Sequence, residues 1–200
     1  MVFSIQELPE NDGRKKLFII HYSLFTFIMS LVFIIGFMTA GKTREGKRLA
    51  KLMHKKFIDL DRLIEEREKK TVVQIFNEKG EEYFRKIESE VLKSFDANEN
   101  LIVSCGGGTP CFHHNMNWMT DKGIVIWLKV STETVLKRVA ESKKQRPLLK
   151  TLEGDDLVNF INQKMMEREP FYSQAHIQMN TEHLSFEKLV EKINELEFTK

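Results

Sequence analysis

Gly36-Phe37-Met38-Thr39-Ala40-Gly41-Lys42-Thr43 sets two glycines, a lysine and a hydroxyl side chain at the spacing G-x-x-x-x-G-K-[ST]. A loop of this kind turns its backbone N–H groups inward and, with the dipole of the following helix, cradles phosphate. Lys42 would reach the β- and γ-phosphates of a nucleotide, and the Thr43 hydroxyl would ligate Mg²⁺. Further along, Asp59 and Asp61 stand one residue apart. One of such a pair can hold Mg²⁺ through water while the other accepts a proton from a hydroxyl substrate. Either could also be an ordinary helix cap. Gly106-Gly107-Gly108 either lets a ligand approach the backbone closely or is simply a flexible loop.

These residues need elements to hold them. Leu31 to Ile35 is a short apolar run, read as a buried parallel strand that feeds the phosphate loop. After the loop, Leu49, Leu52 and Met53 lie opposite Lys47, Arg48 and Lys51 in a helical pattern. Strand, glycine loop and helix in that order is the context the motif requires. Further strands are expected at Lys56 to Leu60, Leu101 to Cys105, Ile124 to Val130 and His176 to Met179. Helices are expected at Leu63 to Lys69, from a Thr71 cap to Gly80, and from Glu81 to Phe95. Others run from a Thr132 cap to Glu141, from Leu157 to Arg168 with Pro170 as breaker, and from Leu184 to Leu196. Alternating strands and helices imply a parallel sheet with right-handed crossovers, and ligands then collect at the carboxyl ends of the strands.

Two hundred residues suit one α/β domain. Thirty-one Lys and Arg against 29 Asp and Glu, a net charge of +2, give no electrostatic case for nucleic acid or an anionic membrane as partner. Cys105 and Cys111 are not a disulfide framework, and a cytoplasmic protein is expected. With His113 and His114 they match no zinc spacing.

Residues 1–30 form an N-terminal extension, apolar from residue 17, ahead of a domain spanning 31–200. From Leu17 to Gly41 there is no charged side chain. Leu31 to Ile35 cannot both cross a membrane and feed the loop, which leaves Leu17 to Ser30, short for a span. Three readings stay open: a true start at Met29, so that the extension is a start-site artefact; a peripheral helix; or a membrane anchor.

From Leu31 to about residue 198 the chain resembles shikimate kinases in several ordered motifs. These are the phosphate loop, Phe57-Ile58-Asp59-Leu60-Asp61, Phe84-Arg85-Lys86-Ile87-Glu88, the glycine triplet, Arg146-Pro147-Leu148-Leu149 and Arg168-Glu169-Pro170-Phe171-Tyr172. The resemblance implies a three-layer P-loop kinase fold of the nucleoside-monophosphate-kinase type. Its five-stranded parallel sheet would have order 2-3-1-4-5, helices on both faces and a mobile lid. The implied reaction moves the γ-phosphoryl of ATP to the 3-hydroxyl of shikimate, within aromatic amino-acid biosynthesis, with Mg²⁺ as cofactor and a monomer as the working unit.

The same resemblance implies roles. Lys42, Asp61 and Arg146 are catalytic, with Asp61 as base and Arg146 closing over the phosphoryl. Gly36, Thr39, Ala40, Gly41, Lys42, Thr43, Arg44, Arg138 and Arg146 bind ATP, with Arg138 stacking on adenine. Asp61, Phe76, Phe84, Arg85, Gly106, Gly107, Gly108 and Arg168 bind shikimate, and Glu88 orients Arg85. Bidentate guanidinium groups at Arg85 and Arg168 suit a carboxylate. Thr43 and, through water, Asp59 hold Mg²⁺.

Thr39 stands where the family usually has glycine, and Arg44 where it usually has Ser or Thr. If the loop needs a positive φ at Thr39, a β-branched residue there is strained. Two other functions remain: another small-molecule kinase of this fold, such as a gluconate kinase, and a non-catalytic relative.

Overall fold

In a computed structural model the chain is described at residues 4–9, 15–20, 31–141, 152 and 154–199. Strands β1 (Ser4–Pro9) and β2 (Lys15–Ile20) pair antiparallel as a hairpin, Ser4 opposite Ile20. Leu17 to Ile20, at the start of the apolar stretch, are therefore extended rather than helical. Lys15 and Lys16 open that strand, and its apolar residues continue an extended ladder. Residues 21–30 lie outside the described residues. Among the described residues no helix is long and apolar enough to cross a membrane.

The domain is built on β3 (Leu31–Ile35), β4 (Lys56–Asp59), β5 (Leu101–Ser104), β6 (Gly123–Lys129) and β7 (Ile177–Asn180). They form a parallel sheet in the order β4-β5-β3-β6-β7, which within the domain is 2-3-1-4-5. β3 is central and buried on both faces, which is why it reads as an unbroken apolar run. Leu31, Phe33 and Ile35 point to one core; Val32 and Ile34 point to the other.

Helices α1 (Lys42–Leu52), α2 (Leu60–Glu68), α3 (Val72–Lys93), α4 (Asn115–Lys122), α5 (Thr132–Glu141), α6 (Gly154–Tyr172) and α7 (Phe186–Thr199) complete the layers. Ile64 of α2, Ile75 and Phe84 of α3, and Met116 of α4 cover one face of the sheet. Leu49 of α1, Val135 of α5, Ile161 of α6 and Leu189 of α7 cover the other.

Thr71 caps α3 as expected, and does so through a reciprocal box with Gln74. Gly80, at φ 80° and ψ 171°, breaks the α3 backbone at the predicted junction. α5 is capped by Ser131 rather than Thr132. The Ser131 Oγ accepts from the Thr134 amide at 3.2 Å, while the Thr132 hydroxyl donates to Asn162 at 2.7 Å. α6 continues through Pro170 to Tyr172 instead of ending near Arg168; a proline in a helix forgoes one backbone bond there without ending the last turn. α4 was not expected from the sequence.

Candidate active site

β3 runs into the phosphate loop, and Gly41 enters α1 with φ 86° and no side-chain cap. A first helical turn without a capping side chain leaves its amides available to an anion. The Lys42 ammonium bends back over the loop, donating to the carbonyl oxygens of Gly36 and Phe37 at 3.0 Å each. Gly36 itself adopts φ 144°, and a Cβ there would lie 2.5 Å from the Leu128 carbonyl oxygen. Ala40 is buried beneath the turn.

Thr39 has φ 62°, the left-handed region that its β-branched side chain resists, and its buried hydroxyl finds no hydrogen-bond partner. The Arg138 guanidinium donates to the Thr39 carbonyl oxygen at 2.7 Å. Arg44 turns to Glu45, its Nε donating at 2.6 Å.

At the end of β4, Asp59 serves two neighbours. One carboxylate oxygen accepts from the Arg62 amide at 3.4 Å and so caps α2; the other accepts from the Thr43 hydroxyl at 2.7 Å. The helix-cap reading of this aspartate is thus seen, on a side chain that also faces Thr43. Thr43 and Asp59 present two oxygens side by side. That donor set fits a small hard cation whose other ligands are phosphate oxygens and water.

Asp61 sits deeper. Burial, reinforced by the charges of Glu88 and Asp59 and opposed by Lys42 and Arg85, raises its carboxyl from the ordinary 3.8 to about 6.

The glycine triplet after β5 acts as a ruler across the site. A Cβ on Gly106 would lie 2.9 Å from the Asp61 carboxylate, one on Gly107 3.0 Å from the Arg168 guanidinium, and one on Gly108 2.5 Å from that of Arg85. Three successive residues without side chains thus admit an acid and two guanidinium groups against one stretch of backbone. Arg85 donates through Nε and Nη2 to Glu81 at 3.1 and 3.0 Å, and through Nη1 to Glu88 at 2.8 Å. Its guanidinium also lies over the rings of Phe112, Phe84 and Phe76, at 4.5, 5.3 and 5.8 Å. Phe76 and Phe84 pack at 4.7 Å between centroids and form an apolar wall. Arg168 lies over Phe37 at 5.3 Å.

Lys42, Thr43, Asp59, Asp61, Gly106 and Gly107 line one cleft of about 410 Å³. Arg85, Gly108 and Arg168 adjoin it across the glycine triplet. Arg146 and the lid motif lie outside the described residues.

The shikimate kinase family model matches residues 38–197. The chain belongs to the shikimate kinase family. The shikimate kinase of Parabacteroides distasonis is 45% identical over 166 residues, which are 83% of this chain and 96% of that enzyme. The crystal structure of the shikimate kinase from Bacteroides thetaiotaomicron superposes with a TM-score of 0.76 at 40% identity, covering 84% of this chain and 97% of that one. That of Acinetobacter baumannii, solved in complex with shikimate, gives 0.72 at 30% identity over 86% and 94%. A gluconokinase from Sinorhizobium meliloti shares the fold at 11% identity, with a TM-score of 0.54. Shikimate kinases are ATP-dependent phosphotransferases of aromatic amino-acid biosynthesis.

Four residues around this candidate site were given no role in it from the sequence, although Tyr172 closes a motif named there. Tyr172 donates its hydroxyl to the Gly107 carbonyl oxygen, and burial holds that phenol well above its ordinary range. Phe112 covers Arg85, Phe37 underlies Arg168, and Thr109 bonds Glu88. Thr109 and Phe112 follow the triplet closely, so their nearness to it was the available signal. Phe37 had none, since an aromatic inside a phosphate loop reads as one of its free positions.

Proposed function

We propose that this chain phosphorylates the 3-hydroxyl of shikimate with the γ-phosphoryl of ATP, using the residues gathered around the glycine triplet. The observation that carries this reading is the alignment of Asp61, Arg168 and Arg85 against Gly106, Gly107 and Gly108. Such a row offers one proton acceptor and two guanidinium forks to a small ring bearing a hydroxyl and a carboxylate.

ATP lays its phosphates in the loop from Gly36 to Thr43, and Lys42 exchanges its two carbonyl partners for β- and γ-phosphate oxygens. Arg85 and Arg168 take the shikimate carboxylate, and the Phe76–Phe84 wall lies under the ring. This fixes the reacting hydroxyl beside Asp61, which is ionised at neutral pH with its carboxyl at about 6. Asp61 accepts the hydroxyl proton as the oxygen–phosphorus bond forms. The bond from the γ-phosphorus to the bridging oxygen breaks, and ADP leaves. Lys42 offsets charge on the transferring group. Thr43 directly, and Asp59 through water, would hold the Mg²⁺ that neutralises the phosphate oxygens when bound. Arg138, anchored at Thr39, borders the nucleotide side of the loop.

A coupled ADP-release assay with shikimate, gluconate and AMP as acceptors tests the reading. Shikimate alone should give sustained turnover; faster turnover with gluconate or AMP, or none with shikimate, would overturn it.

A further inference from the structure

Ser89, Asn115 and Thr109 take no part in the roles above, yet all three are buried, two of them completely. They form one line. The Ser89 hydroxyl donates to the Asn115 side-chain oxygen at 2.7 Å, and the Asn115 amide group donates to the Thr109 carbonyl oxygen at 2.9 Å. The Thr109 hydroxyl donates to one carboxylate oxygen of Glu88 at 2.5 Å; the other accepts from Arg85 at 2.8 Å. Glu88 is fully buried, and the Thr109 amide also donates to the Gly106 carbonyl oxygen at 3.2 Å. Among the described residues this line leaves no buried side-chain oxygen or nitrogen without a partner.

A fully satisfied buried network specifies one geometry, because any rotation of a member strands a polar group in a low-dielectric interior. One end of this line is Ser89 on α3, and the line passes through Asn115 at the start of α4. The other end is the guanidinium that lies against Gly108. We propose that Thr109 is a positioning residue for the acceptor site: its hydroxyl pins Glu88 and thereby aims Arg85 at the acceptor's carboxylate. The inference rests on the reading of Arg85 as a carboxylate ligand. A Glu88 held only by Arg85 can turn and draw the guanidinium away from Glu81, its exposed second partner, so loss of the pin weakens shikimate binding without touching the nucleotide loop.

Steady-state kinetics of wild type, Thr109→Val and Thr109→Ser, with shikimate and ATP varied separately, test this. Turnover of shikimate by the wild type checks the underlying reading; the ratios between variants check Thr109. Thr109→Val should raise the KM for shikimate roughly tenfold or more, as expected for a lost hydrogen bond to a charged group. The KM for ATP should stay within about twofold, and Thr109→Ser should restore the wild-type value. Thr109→Ala serves the same comparison if the valine variant does not fold. An unchanged KM for shikimate, an equal rise for both substrates, or a serine variant as impaired as valine would overturn the proposal. So would failure of both valine and alanine variants to fold, which would mark Thr109 as structural.

Discussion

The Thr39 carbonyl oxygen accepts a 2.7 Å hydrogen bond from Arg138, while the Thr39 backbone sits at φ 62° with its hydroxyl buried and unpaired. A threonine forced into this region costs on the order of 1–3 kcal/mol. The Arg138 contact is one of the restraints that keep it there. Thr39→Gly should relieve the strain and let the loop amides settle on phosphate. We expect kcat/KM for ATP to rise several-fold with the KM for shikimate unchanged, in kinetics with each substrate varied separately. An unchanged or lower kcat/KM for ATP would show that the loop is already optimal with threonine.

Arg85 and Arg168 approach neighbouring glycines from different helices, α3 and α6. Each should therefore contribute to acceptor binding and neither to ATP binding. Replacing either by alanine should raise the KM for shikimate by roughly tenfold or more, since charged bidentate contacts are the strong ones. Arg85→Ala should also lower thermal stability, because it leaves the buried Glu88 without its cation. Equal rises in both KM values would mean that these arginines serve the fold instead.

Asp61 makes stability depend on pH in the reverse of the usual carboxylate sense. Its carboxyl is raised from 3.8 to about 6, so between these values the folded chain holds a proton that the unfolded chain has lost. Stability therefore falls as pH rises through this window, and the full cost, on the order of 2–3 kcal/mol, is present above it. Asp61→Asn removes the charge, so the variant should melt several degrees higher than wild type at pH 7.5, with the difference shrinking toward pH 4. Melting curves across pH check this; a variant less stable at pH 7.5 would contradict it. In the wild type, kcat should rise with pH through about 6 as the base ionises.

The sequence made the strand, loop and helix around Lys42 legible because three independent patterns coincide there. An apolar run marks β3, fixed glycines mark the turn, and a 3.6-residue stripe marks α1. The Thr71 cap and the Gly80 break were legible because caps and breakers act locally. α4 was hidden because His113 and His114 both adopt positive φ before it, and neither residue type announces that conformation. The continuation of α6 past Pro170 was hidden because a proline near a helix end changes one bond, not the packing that holds the turn. Of the line from Ser89 to Arg85, only the Glu88–Arg85 contact was legible, because the two stand one helical turn apart. Thr109 and Asn115 stand some twenty residues after Glu88 and Ser89, and nothing local marks either pair as the other's buried partner.

In the proposed reaction everything turns on Asp61 taking the proton from the acceptor hydroxyl. The most direct test measures kcat for Asp61→Asn with saturating shikimate and ATP, beside MgATP binding to the same protein by calorimetry. We predict that turnover falls by at least roughly 10²-fold, the lower range for loss of a positioned base, while MgATP binds as in wild type. A near-normal kcat in the asparagine variant would contradict the assignment of Asp61 as the base.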